Sequence, residues 1–278
     1  MLRELGVLLF IIAAALAVNA QRVAVLTPDN SASSSEVATR LEDSLRGSIK
    51  VLDGSLARSA FDSAEFANPF NLTTDESRRV AAAMGCDAFL LIRSAVQRRS
   101  SFERPEYYEA YAQIFLVSGR TGRLVFWTNE SHEASRPDNA RKALNASLSA
   151  LASSIARRIK DVRESELNEP AKPAVEAITD ASSASAKGLR APIPFRRIKP
   201  DYTAIAELYE TAATVEIEVD LDENGKITRT EIARWAGFGL DESVDSAVRA
   251  MSWRPAERGG KFIPMRFLLR YNFKKIAK

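Results

Sequence analysis

The chain has one cysteine, Cys86, and one histidine, His132, in 278 residues. A cysteine–histidine nucleophile pair needs the two side chains in contact. Cys86 follows Gly85 at the start of an apolar run and reads instead as a small buried side chain. There is no second histidine to build a metal centre. Gly119-Arg120-Thr121-Gly122 is too short for a phosphate-cradling loop and has strand patterns on both sides. Asp220, Asp222, Asn224, Gly225 and Glu231 match the calcium-loop pattern at every specified position. A calcium loop of that kind is entered from a helix, however. Thr214 to Leu221 alternates with period two, and Asn224-Gly225 is a strong hairpin signal. The sequence predicts no enzyme, no catalytic residue, no cofactor and no metal.

Composition sets the frame for these residues. Thirty-nine basic against 36 acidic residues give a net charge of +3. That mild excess is not the clustered basic face of a nucleic-acid binder, so no nucleic acid is expected. A single cysteine excludes an internal disulfide. Val7 to Val18 is an unbroken apolar run of twelve residues behind Arg3, followed by Val18-Asn19-Ala20. A membrane span needs about 20 residues. Residues 1–20 therefore read as a secretory signal cleaved after Ala20, giving a periplasmic protein; uncleaved, they would be a short inner-membrane anchor.

The elements fall into two groups. In residues 21–164, Arg22 to Leu26 and Ile49 to Asp53 read as short strands. Thr73 and Glu76 form a capping box opening a helix that ends at Gly85. Asp87 to Gln97, Tyr107 to Val117 and Leu124 to Asn129 follow as strands, with Tyr108, Ala110, Ala112, Ile114 and Leu116 on one face. Asn139 to Lys160 is a long amphipathic helix. The order predicts a two-layer α/β domain with a mixed sheet. Residues 165–194 carry Pro170, Pro173, Pro192, Pro194 and the run Ser182 to Ala186, and read as a linker. Residues 195–278 form a small α+β unit. It has a helix at Tyr202 to Tyr209, a hairpin through Asn224-Gly225, a helix at Leu240 to Met251 and a strand ending at Phe273.

This last unit resembles the TonB C-terminal domain family over Arg196 to Phe273. The resemblance is carried by Pro200-Asp201-Tyr202 with Ala206, the hairpin Val215 to Ile227, and Gly239-Leu240-Asp241 with Ala247-Val248. Trp253-Arg254-Pro255-Ala256, Gly259-Gly260-Lys261 and Pro264 complete it. It implies a domain that grips an extended peptide of an outer-membrane transporter by adding it to a sheet edge. Carried over by position, the partner-binding residues are Tyr202, Phe262, Pro264, Arg266, Leu268 and Arg270. The implied partners are envelope proteins, including TonB-dependent transporters. The alternative is a periplasmic scaffolding or assembly protein that reuses the domain without energy coupling. The family's anchor histidine has no counterpart in residues 1–20. Residues 22–160 resemble envelope α/β domains of the kind seen in CsgG, LpoB and the N-terminal part of TolB. That resemblance rests on Val23 to Leu26, Gly85 to Ala88 and Thr121 to Trp127.

Overall fold

The structure is a computed structural model, and it describes residues 21–178 and 188–274. Residues 1–20, predicted to be the export signal, lie outside the described residues, as do Ser182 to Ala186.

The first unit is built from β1 (Arg22–Leu26), α1 (Ala32–Leu45), β2 (Lys50–Val51), α2 (Gly54–Asp62) and α3 (Thr74–Met84). β3 (Ala88–Arg99), β4 (Tyr107–Ser118), β5 (Leu124–Ala134) and α4 (Pro137–Leu167) follow. Its five-stranded sheet has the order β2-β1-β3-β4-β5. β1 is parallel to β2 and β3, and the β3-β4-β5 meander is antiparallel. The predicted α/β class with a mixed sheet is observed. α2 has no counterpart in the sequence reading; it starts on Asp53, whose carboxylate accepts from the amides of Ser55 and Leu56. The predicted capping box of α3 is present in both directions between Thr73 and Glu76. One sheet face carries Leu90, Ile92, Ala110, Ala112, Ile114 and Leu116, and packs on Leu41 and Leu45 of α1 and Leu144, Leu148 and Ile155 of α4.

The second unit contains α5 (Ala204–Leu208), β9 (Ala213–Leu221), β10 (Ile227–Arg234), α6 (Leu240–Arg249) and β14 (Met265–Phe273). Strands β9 and β10 form the expected hairpin, with Asp222 accepting from the amides of Asn224 and Lys226 at its turn. A strand, not a helix, thus enters the loop that matched the calcium pattern. Val215, Ile217, Val219 and Leu221 line the inner face against Leu240, Val244 and Val248 of α6.

Three two-residue pieces of the stretch read as a linker pair with strands of this unit. α4 runs on to Leu167, and Ala177–Ile178 (β6) joins the second sheet, whose order is β10-β9-β14-β6. Leu189–Arg190 (β7) pairs with Ala256–Arg258 (β12), which also pairs with Lys261–Ile263 (β13). Ile193–Pro194 (β8) pairs with Trp253–Arg254 (β11). Proline-rich composition does not prevent this, because each piece offers only two residues of ladder at a strand edge.

The two units share one core. The second face of the first sheet, with Phe89, Leu91, Phe115 and Val117, is covered by α2, α3 and the loop after β10. Trp235 is 1% exposed. Its indole N–H lies 3.2 Å from the Gly122 carbonyl and 3.3 Å from Ser77 Oγ. Phe238 packs on Trp127 with ring centroids 4.6 Å apart and the rings tilted by 41°. Asn71 bridges the units with both ends of its amide. Its Nδ2 donates to the carbonyls of Thr214 (2.8 Å) and Trp235 (2.6 Å), and its Oδ1 accepts from the Thr214 amide (2.9 Å). Glu109 of β4 takes hydrogen bonds from Tyr209, Gln97 and Arg99. Burial pushes its carboxyl up, but these donors outweigh burial and hold it below the usual carboxylate range.

The docking loop is closed by Asp241. Its two carboxylate oxygens accept from the amides of Ala236 and Gly237, each at 2.9 Å. Burial pushes this carboxyl from an ordinary value near 3.8 up to about 7, against the pull of the two amides. Between those values the folded chain keeps a proton that the unfolded chain has lost. The stability contribution is therefore complete below pH 3.8 and is lost as pH rises towards 7. Asp241→Asn should flatten this dependence, which has a slope of at most about 1.4 kcal/mol per pH unit. Urea midpoints of both proteins across that window test it; parallel pH profiles would refute it.

Candidate functional site

Placement keeps the lone cysteine and the lone histidine apart. Cys86 lies beside the Ser118 end of β4, since Ala88 is in register with Ser118. His132 is in register with Ala110, eight residues along the same strand. At about 3.3 Å per residue they are on the order of 26 Å apart. Burial also pushes the Cys86 thiol up to about 12. Among the described residues no group of three metal-ligating side chains converges.

What the fold presents, among the described residues, is a strand edge paired over only part of its length. β14 pairs antiparallel with β9 along its whole length, Met265 with Leu221 through Phe273 with Ala213. On its other side β6 meets only Arg266 and Phe267. The Arg266 amide donates to the Glu176 carbonyl at 2.8 Å, so it points away from β9. Backbone polarity alternates along a strand. The N–H and C=O groups of Leu268, Arg270 and Asn272 therefore also point away from β9, at an edge with no strand partner among the described residues.

Beside this edge runs a slot of about 340 Å3. Leu268 to Tyr271 form one wall, Pro192, Pro194, Arg197 and Ile198 the other, and Met251, Trp253 and Phe267 also line it. Trp253 is 4% exposed, packs on Phe267 at 4.9 Å, and its indole Nε1 has no hydrogen-bond partner among the described residues. A buried donor without an acceptor is costly.

The six sequence-predicted residues divide. Arg266, Leu268 and Arg270 lie on β14 with their backbones at the open edge. The two guanidiniums are engaged elsewhere: Arg266 forks onto Asp220 at 2.6 and 2.7 Å, and Arg270 reaches Glu216 at 2.7 Å. Register decides this, because Arg266 stands opposite Asp220 and Arg270 opposite Glu216. These arginines fix the strand; the hydrogen bonds that Arg266 donates to Asp220 push its pKa above the ordinary guanidinium range. Phe262 and Pro264 are not on this edge. The predicted continuous strand Phe262 to Phe273 breaks at Pro264, and Phe262 pairs with Glu257 in the separate β7-β12-β13 sheet. Proline has no N–H to continue a ladder. Tyr202 stands at the far end, its ring stacked on Phe273 and its hydroxyl between the carbonyls of Ala206 and Thr211. Sequence reasoning missed Trp253 and the 192–198 wall. The signal available was the proline-flanked run Pro192-Ile193-Pro194-Phe195.

The chain thus joins an α/β unit to an α+β unit whose strand β14 has little pairing on one side among the described residues. Residues 198–274 match the family model of the Gram-negative bacterial TonB protein C-terminal domain. The second unit is thus a TonB-type C-terminal domain over those residues. Among solved structures the chain is similar to the C-terminal domain of TonB from Pseudomonas aeruginosa, at 17% identity and a TM-score of 0.29, covering 38% of this chain and 99% of that one. It is also similar to a lipoprotein from Neisseria meningitidis, at 16% identity and a TM-score of 0.34, covering 49% and 99%. A hypothetical protein from Chlamydia trachomatis is similar at 9% identity and a TM-score of 0.32, covering 54% and 99%. No curated protein matches the chain.

Proposed function

We propose that this chain is a non-catalytic adaptor of the cell envelope. Its TonB-type unit binds an extended segment of an outer-membrane transporter as a strand added to β14, after export directed by residues 1–20. The observation that supports the reading is the outward polarity of Leu268, Arg270 and Asn272 beside a slot lined by Trp253, Met251 and Phe267. The second reading, a scaffold without transport, is favoured by the docking of the first unit, which fixes the TonB-type unit to a body instead of leaving it free to be pulled.

Proline scanning separates edge from core. Leu268→Pro removes an N–H from the open edge and no bond to β9, which edge strands tolerate. Leu269→Pro removes a ladder bond to β9. Leu268→Pro is expected to leave folding intact and weaken peptides from transporter plug segments by about tenfold or more, roughly 1.4 kcal/mol. Leu269→Pro should unfold the unit. Unchanged peptide affinity in Leu268→Pro would overturn strand addition at β14. Enrichment of cell-wall assembly proteins instead of transporters on the immobilised chain would favour the scaffold. An intact mass starting at Gln21 is the expected sign of export.

A further inference from the structure

Where the two units meet, a cavity of about 130 Å3 opens between β4 and residues 209–213 of the TonB-type unit. Tyr111, Gln113 and Phe115 of β4 all line it. Alternate residues of a strand point to one face, so these three side chains project into the cavity. Gln113 is 2% exposed, and its side-chain amide makes no hydrogen bond among the described residues. A buried amide with neither donor nor acceptor met costs stability, and buried polar groups are as a rule satisfied.

Register extends this amide into a polar row across the sheet. Gln113 stands opposite Arg93 on β3 and opposite Asn129 on β5. Residues directly opposite share a face. Asn129 donates through Nδ2 to the Tyr209 hydroxyl at 3.0 Å, and its Oδ1 is buried without a partner among the described residues. The Arg93 guanidinium also lines the cavity and lies over the Phe70 ring, 4.2 Å from its centre. It makes no ion pair or hydrogen bond among the described residues. Glu210 is exposed at the rim and is itself partnered, but not by Arg93. One guanidinium beside one primary amide matches a carboxylate, which is planar and singly charged. A phosphate dianion would meet only one cation here. Phe70, Phe115, Ala213 and Phe238 complete the lining and suit an aliphatic tail. At roughly 30 Å3 per water the space holds about four waters, so that tail is short.

We propose that this cavity binds a short aliphatic carboxylate, held by the Arg93 guanidinium and the Gln113 amide. The site needs both units, because β3 and β4 supply the polar groups and residues 209–213 supply the facing wall. The same chemistry is offered by a free small acid and by the C-terminus of a peptide with a small last residue. The site does not depend on the β14 reading.

The test uses isotope-labelled residues 21–278. Calorimetry reads affinity, and the Gln113 side-chain amide resonance reads location. The probes are butyrate, butyramide, and the tripeptide Gly-Gly-Ala with a free or an amidated C-terminus. At least one of the two acids is expected to bind and shift the Gln113 resonance, and neither amide should. Tighter binding of butyrate would make a free acid the source, and tighter binding of the tripeptide a chain terminus. Arg93→Gln, at an exposed position, should weaken binding by at least about tenfold and leave the fold intact. Gln113→Leu should abolish binding. It should also raise the thermal midpoint of the unliganded protein, because it removes an unmet buried amide. No binding by either acid, binding that leaves the Gln113 resonance unmoved, equal binding of acids and amides, or unchanged affinity in Arg93→Gln would overturn the proposal. A lower midpoint in Gln113→Leu would mean that the amide serves the fold, and would also overturn it.

Discussion

Trp235→Ala is expected to cost about 3–5 kcal/mol of stability, the range for removing a buried large aromatic side chain. The side chain is fully enclosed and lies at the meeting point of the two units. Its ring sits 5.9 Å from that of Phe115 on the first sheet, and its backbone carbonyl accepts from Asn71. Truncation leaves a cavity bordered by rigid strands and orphans the Gly122 carbonyl and Ser77 hydroxyl. Because the core is continuous, the wild-type chain should unfold in urea as a single transition. In Trp235→Ala the transition should fall to lower urea and split, with the TonB-type unit and the α/β unit losing structure separately. Trp235→Phe keeps most of the ring and loses only the N–H bonds, so it should cost about 1 kcal/mol. A Trp235→Ala loss no larger than that of Trp235→Phe would mean that the units do not depend on this contact.

The same contact explains why the docking was hidden in the sequence while the individual elements were not. Strand β4 announces itself by alternation, with Tyr108, Ala110, Ala112, Ile114 and Leu116 on one face. Its other face carries Glu109, Tyr111, Gln113 and Phe115. Such a mixture reads as half-solvated, yet Glu109, Gln113 and Phe115 are all buried. The polar members are tolerated because the TonB-type unit brings partners to them, Tyr209 to Glu109 and the Tyr209 ring to Tyr111 at 4.8 Å. Period-two reasoning finds a face packed by neighbouring helices. It cannot find one packed by a loop about a hundred residues away. The open edge was legible in part for a related reason. The alternation of Met265 to Phe273 gives the strand, but only the register to Asp220 and Glu216 shows that the arginines are cross-strand partners and that the backbone is what remains free. The Trp235 to Asp241 loop had one available signal: two bulky aromatics set among glycines immediately before a helix.

Gly122→Ala should come close to Trp235→Ala in effect although it adds a single methyl group. Gly122 turns the β4–β5 hairpin with φ +72°. A Cβ there would fall 1.9 Å from the Thr74 carbonyl oxygen and 2.7 Å from its carbon. Those atoms belong to the first turn of α3, so no side-chain rotation can relieve the overlap; the hairpin or the helix must move. The left-handed backbone alone costs an alanine about 1 kcal/mol. Forced displacement of packed backbone adds roughly 1–3 kcal/mol more. Gly260→Ala is the control that separates these effects, since Gly260 has φ +82° and nothing within 4 Å of its added Cβ. It should show only the conformational cost, and the difference between the two urea midpoints isolates the close approach to α3. Gly122 also supplies the carbonyl that accepts from Trp235, so moving the hairpin removes part of what Trp235 holds. The double variant Gly122→Ala/Trp235→Ala should therefore lose less than the sum of the single losses, by at least about 0.5 kcal/mol. Strict additivity would separate the hairpin from the interface. A subadditive result would make the hairpin, α3 and the Trp235 loop one cooperative contact through which the α/β unit holds the TonB-type unit in place.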